Sequence, residues 1–308
     1  MRVAASVVVC LLVSGCAARQ VQDIAPGAEI DIPGVDLGKT FPAESLEAFM
    51  AKVKTLASEA RPGRTSARTI EGNDRRLAAA LFVSTATPSP AAFRQVAREY
   101  KRLGIFDDAY EYLNKALRLD RHDAATHDDL ARLWRDSGFP HLALGDAHRA
   151  LFVAPNSPIV RNTVGTILQV LGQRAEARAQ YEIALQLDPS AEYALNNLCY
   201  GWILDGDAPK AAHACQHALR LNPDLAIASN NLGIAYAAAG NVSAALSAFA
   251  HAGDTALGMY NLGVVHLARR RYVEAAAAFK EAQRARPSRH TAARLRQAEA
   301  LSRGGGTQ

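Results

Sequence analysis

Ala109, Ala143, Ala177, Ala211 and Ala245 stand 34 residues apart, and Ala275 follows after 30. A second series, Ala116, Ala150, Ala184, Ala218, Ala252 and Ala282, keeps the same steps. Such an interval is too short for a domain, so it prescribes a row of small supersecondary units that bury their apolar faces on one another. Gly104, Gly138, Gly172, Gly206 and Gly240 mark a turn inside each unit. Pro155, Pro189, Pro223 and Pro287 close units, with Arg121 where the first Pro would stand. Ahead of each turn lies a small residue (Ala97, Ala131, Gly165, Cys199, Gly233, Gly263), and three residues later a bulky one (Tyr100, Trp134, Leu168, Trp202, Tyr236, His266). Of the 308 residues 62 are Ala, against 9 Phe, 9 Tyr and 2 Trp, a mix that suits close-packed helices and excludes an all-β fold.

These positions resemble the tetratricopeptide repeat. Six units fit, starting near residues 90, 124, 158, 192, 226 and 256. In each, small residues let two antiparallel helices approach, bulky ones fill the groove between them, and Gly then Pro end the helices. The resemblance implies an all-α fold, a right-handed αα superhelix (solenoid) over residues 90–287, whose concave face is lined by the first helix of each unit. The fifth unit is four residues short and ends at Gly253-Asp254-Thr255. Its second helix should lose about one turn, with Asp254 or Thr255 capping the next. Residues 288–303, with Ala292, Leu295, Ala298 and Leu301 on one stripe, read as a capping helix, and 304–308 as a disordered tail. Upstream, residues 43–89 carry two helical patterns, Ala43 to Ala60 and Asn73 to Ala86, which form either a degenerate repeat or a simple helical cap.

The chain starts with Met1-Arg2, an apolar stretch from Val3 to Val13, and Ser14-Gly15-Cys16, the pattern of a secretory signal over residues 1–15. Leu12-Val13-Ser14-Gly15-Cys16 also resembles a bacterial lipobox, which implies cleavage before Cys16 and acylation of its sulfur and amino group. The alternative is an ordinary signal peptide with a Cys by chance. With Ala17 in place of the Asp that retains many Gram-negative lipoproteins at the inner membrane, the implied destination is the periplasmic face of the outer membrane. Residues 16–42, punctuated by Pro26, Gly27, Pro33, Gly34, Gly38 and Pro42, then read as a lipidated tether.

No catalytic signature is present: no H-E-x-x-H, no G-x-S-x-G, no phosphate loop and no dinucleotide fingerprint. The expectation is a protein that is not an enzyme and needs no cofactor. His213 and His217 lie four apart on one helix, but Cys215 between them falls about 200° around the axis, so the three do not converge on a metal. A net charge of +5 does not announce a nucleic-acid binder. Arg269, Arg270 and Arg271, with more basic residues beyond, read as a solvated terminal face or as a site for anionic lipid or an acidic partner.

Arrays of this kind bind peptides on the concave face. In the first two units its positions are charged (Arg94, Arg98, Lys101, Asp128, Arg132, Arg135). Later they turn apolar, and Tyr193, Asn196, Tyr200, Asn230, Ile234, Tyr260 and Val264 are the expected partner-binding residues, although some of these positions pack between hairpins instead. Ile203, Ile227, Leu257 and Leu267 share the face. Asn162, Asn196 and Asn230 recur in phase and are expected to bond a partner's backbone, while Asn197, Asn231 and Asn261 match a structural Asn of the family. Cys199 and Cys215 fall at the same height on the two helices of one hairpin and can be bridged. The layout resembles lipoproteins of tight-adherence (Flp) pilus assembly and pilotins of type IV pili. That implies a scaffold holding a protein partner, a secretin or pilus component, in assembly of a pilus or secretion apparatus. The alternative is an accessory subunit positioning a cell-wall or exopolysaccharide enzyme.

Overall fold

The computed structural model describes residues 74–304, and among them every regular element is helical. Fourteen helices follow one another: α1 (Arg75–Ala86), α2 (Pro90–Arg102), α3 (Phe106–Leu119), α4 (Ala124–Asp136), α5 (Pro140–Val153), α6 (Pro158–Val170), α7 (Arg174–Leu187), α8 (Glu192–Asp205), α9 (Ala208–Leu221), α10 (Ala226–Ala239), α11 (Val242–His251), α12 (Thr255–Ala268), α13 (Tyr272–Ala285) and α14 (Arg289–Gly304). The signal and lipobox reading, the tether, the helix expected over Ala43 to Ala60 and the tail beyond Gly304 lie outside the described residues.

Two compact units divide the described chain, α1–α6 ending at Leu171 and α7–α14 beginning at Gly172. The division falls in the turn of the third hairpin, where the 34-residue period runs on unchanged. Within each unit, consecutive helices pack antiparallel, and first helices of neighbouring hairpins also touch, α2 on α4 on α6 and α8 on α10 on α12.

Local chemistry sets the helix ends. Asp74, Ser89, Ser157, Asp207, Asn241 and Asp254 each accept a backbone N–H of the first turn, satisfying donors that the helix itself leaves open. The five turn glycines have φ between 74° and 88°, a left-handed conformation that a side chain resists. In the sixth unit Arg270 holds that place at φ 58°. Helix α11 has 10 residues where the second helices of the other hairpins have 14, the turn removed by the short fifth unit, and Asp254 caps α12. Ser288 Oγ accepts from Thr291 N at the start of α14, whose Ala298 is fully buried while Leu301 is 40% exposed.

Within the two units, residues 16 apart meet across a hairpin, a small one on the first helix against a partner on the second. Ala97 and Leu113 share one core cluster, and Ala131 and Ala147 another. At Gly233 and Gly263 a Cβ would come within 2.4 Å of Phe249 and 2.7 Å of Phe279, so only glycine fits beside either ring. The fourth hairpin fills the same pair of positions with Cys199 and Cys215, which are joined by a disulfide with Cα atoms 5.3 Å apart, both residues fully buried.

Candidate interaction groove

The first-helix face of α2, α4 and α6 is polar, and its charges answer one another from hairpin to hairpin. Arg94 pairs with Asp123 at 2.6 Å, Arg98 with Asp129 at 3.0 Å and Lys101 with Asp136 at 2.6 Å. The next step carries the same device with neutral acceptors: Arg132 donates to Thr163 Oγ1 and Arg135 to Thr166 Oγ1. Burial raises the Asp128 carboxyl above the usual carboxylate range, against the pull of Arg132 at 2.9 Å. Burial acts on Asp136 in the same sense, yet Arg135 and Lys101 together hold it below its ordinary value. Pairs this close to the surface add little stability singly. Their effect is to key neighbouring hairpins in register, and the charges that seemed available for a ligand are largely taken up.

In the second unit an amide ladder replaces the ion pairs. Asn231 donates to Asn196 Oδ1 at 3.0 Å, and Asn261 to Asn230 Oδ1 at 2.9 Å, all four side chains being buried. The expectation that Asn196 and Asn230 address a partner's backbone is thereby corrected: each acceptor is engaged by the structural Asn of the following hairpin. Their pairing is foreshadowed by two in-phase Asn series, one on each side of the joint.

Burial sorts the other expected groove residues. Ile234 is 1% exposed and packs with Tyr200, Leu204, Phe249 and Leu262, so it forms core and offers a partner no area. Tyr200 is buried in that same cluster. Tyr260 is buried against Phe279, their ring centres 5.5 Å apart, with its hydroxyl 2.8 Å from His290 Nε2, and Val264 packs in the same cluster. Tyr200 and Ile234 sit between the fourth and fifth hairpins, where α8 packs on α10, and Tyr260 and Val264 are covered by α13 and α14. Tyr193 is half-buried, as are Ile203, Leu257 and Leu267, and Ile227 is 42% exposed. Those five form the accessible apolar part of the face.

Elsewhere in this unit, the Trp202 ring lies between two cations, the Arg178 guanidinium at 4.5 Å and the Lys210 ammonium at 4.4 Å. His213 is exposed and His217 half-buried beside it, while Cys215 is committed to its disulfide. Part of the basic cluster is structural: Arg269 donates to the carbonyls of Ala237 and Ala238 at the end of α10, and Arg286 pairs with Asp254. His266 is buried, and that burial lowers its imidazole below the ordinary range, with Arg271 and Arg269 adding to the effect against Glu274.

Models described as tetratricopeptide repeat match residues 205–256, 248–290 and 260–305, and a second such model matches 95–123. The hairpins within residues 95–123 and 205–305 match tetratricopeptide repeats. Among curated proteins, anaphase-promoting complex subunit cut9 of Schizosaccharomyces pombe is 30% identical over 73 residues, which is 24% of this chain and 11% of that protein. The chain therefore spans only a small part of that relative. Among solved structures, the Cut9–Hcn1 hetero-tetramer aligns with a TM-score of 0.62 at 18% identity, over 72% of this chain and 45% of that one. Pseudomonas aeruginosa pilF aligns at 0.55 and 21%, over 68% and 96%, and a tetratricopeptide repeat protein of Parabacteroides merdae at 0.55 and 18%, over 83% and 99%. At these identities the likeness is one of fold, an αα solenoid.

Proposed function

We propose that this tetratricopeptide protein is a lipid-anchored scaffold facing the periplasm, holding a segment of a pilus or secretion component on the first-helix face of its second unit. The observation that carries the compartment is the buried Cys199–Cys215 disulfide, since such bonds persist in oxidising compartments and are rare in the cytosol. It agrees with the lipobox at Cys16, read independently from the other end of the chain. The partner-binding surface is the accessible strip of Tyr193, Ile203, Ile227, Leu257 and Leu267, apolar area suited to a hydrophobic or amphipathic segment. The assembly process comes from the resemblance in layout to tight-adherence and pilotin lipoproteins.

A photo-crosslinking residue at Ile227 or Leu257, with Phe82 as an exposed control in the other unit, tests this in the native cell. Secretin or pilus components captured from positions 227 and 257 but not from 82 are the expected result. Capture of cell-wall or polysaccharide synthases or hydrolases overturns the process in favour of an enzyme-positioning subunit. No crosslink from the strip rejects the surface.

A further inference from the structure

Position 29 of the repeat holds Arg118, Gln186, Arg220 and Arg284 in the other full-length hairpins, but Phe152 in the second. Phe152 is 88% exposed, the most exposed large apolar side chain described. It borders a cleft of about 1030 Å³ between the ends of α3 and α5, where Leu117, Leu119 and Val153 supply further apolar surface. Three guanidinium groups and three imidazoles line it: Arg118, Arg121, Arg149, His122, His127 and His148. Among the described residues Asp146 is the carboxylate that serves this lining, 2.9 Å from Arg149, whose side chain remains 65% exposed, and 3.2 Å from His127. Among the described residues the other four side chains have no ion pair. Asp120, in the same loop, accepts the backbone N–H of His122. An aromatic out of pattern beside the unpaired guanidinium groups of Arg118 and Arg121 is the complement of a ligand that is both acidic and apolar.

The chain contains such a sequence. Residues 29–37 read Glu-Ile-Asp-Ile-Pro-Gly-Val-Asp-Leu: three carboxylates, four large aliphatic side chains and no cation. We propose that the cleft at Phe152 captures the chain's own residues 29–37, with Glu29, Asp31 and Asp36 meeting the basic rim and the aliphatic side chains covering Phe152 and Val153. Reach is no obstacle. The connecting residues 38–73 can span on the order of 100 Å, whereas a 14-residue helix is about 20 Å long.

A labelled peptide of residues 28–38 should bind, with a Kd in the micromolar range, to a full-length variant lacking 29–37. It should bind the unaltered chain at least tenfold more weakly, because the attached segment competes. Arg121→Glu and Phe152→Ser, both at exposed positions, should each weaken peptide binding to the deletion variant at least fivefold, and raising salt from 50 to 500 mM should do the same. No saturable binding to the deletion variant, or binding indifferent to both substitutions, overturns the proposal. Equal binding to the two chains overturns the choice of occupant and leaves a site for an acidic segment of another protein. Sedimentation of the unaltered chain with phosphatidylglycerol vesicles, lost in Phe152→Ser and unmoved by the peptide, overturns it in favour of a lipid surface.

Discussion

Phe249 is caught between two glycines by different parts of itself. A Cβ on Gly233 would meet the ring at 2.4 Å, and one on Gly258 would meet the Phe249 Cβ at 2.6 Å. Overpacking at either place should cost about 1–3 kcal/mol, read from urea unfolding. The two differ in their remedy. Phe249→Leu removes ring atoms and should relieve part of the cost of Gly233→Ala, giving a clear coupling energy in a double-mutant cycle. It leaves the Cβ where it was, so the cost of Gly258→Ala should stand, and equal coupling for the two glycines would sink this reading. At this scale the sequence was legible in part. Glycine at 233 and 263 announces a close approach because the repeat places a small residue there each time. Glycine at 258 lies outside that series, and the close approach there comes from Phe249 of the preceding hairpin. Ile234 and Tyr260 were misplaced for a related reason. A position on a helix tells which way a side chain points, but whether solvent or a neighbouring helix waits there depends on residues about 30 further along the chain.

Within a unit, a second helix presents a partner to the small residue 16 positions before it, and the fourth hairpin does so with a covalent bond. Helix boundaries, the lost turn of α11 and the closing α14 were all legible, since caps, turn glycines and apolar period are properties of one segment at a time. The charge ladder was not, because donor and acceptor lie about 29–31 residues apart in separate hairpins and each looks like an ordinary surface residue alone; of the amide ladder the two in-phase Asn series were visible, but not that they meet. The division at Leu171 and Gly172 left no mark on the period either. The Cys199–Cys215 bond closes a short loop, with a sequence separation of 16, for which loss of unfolded-state entropy predicts about 2–4 kcal/mol of stabilisation. Reductant should therefore lower the denaturation midpoint of the unaltered protein and leave a Cys199→Ala, Cys215→Ala variant unmoved. Because both sulfurs are buried, reduction should also be slow until the fourth hairpin opens. A midpoint indifferent to reductant in the unaltered protein would show that the bond adds nothing to the hairpin.

Over the whole described chain, two buried histidines should give the two units opposite responses to pH. In the first unit His127 Nδ1 lies 3.2 Å from Asp146 Oδ1, and Asp146 also accepts from the Trp134 indole. The hydrogen bond to Asp146, then the Arg121 carbonyl at Nε2, raises the imidazole above its ordinary 6.5 in spite of burial. Folding therefore favours the protonated ring, and this contribution is complete below pH 6.5 and is lost as pH rises through the raised value. In the second unit His266 is buried with no partner for Nδ1, and its pKa is lowered. Folding there favours the neutral ring, so the contribution is complete above 6.5 and is lost as pH falls through the lowered value. Amide hydrogen exchange, followed separately over 74–171 and 172–304 between pH 5 and 8.5 and corrected for intrinsic rates, should show the first unit loosening toward alkaline pH and the second toward acid. His127→Gln should flatten the alkaline response of the first unit alone. His266→Tyr, which restores the bulky aromatic found at this repeat position in Tyr100 and Tyr236, should flatten the acid response of the second alone. An alkaline limb that survives His127→Gln would assign the first unit's pH response to groups other than the His127–Asp146 pair.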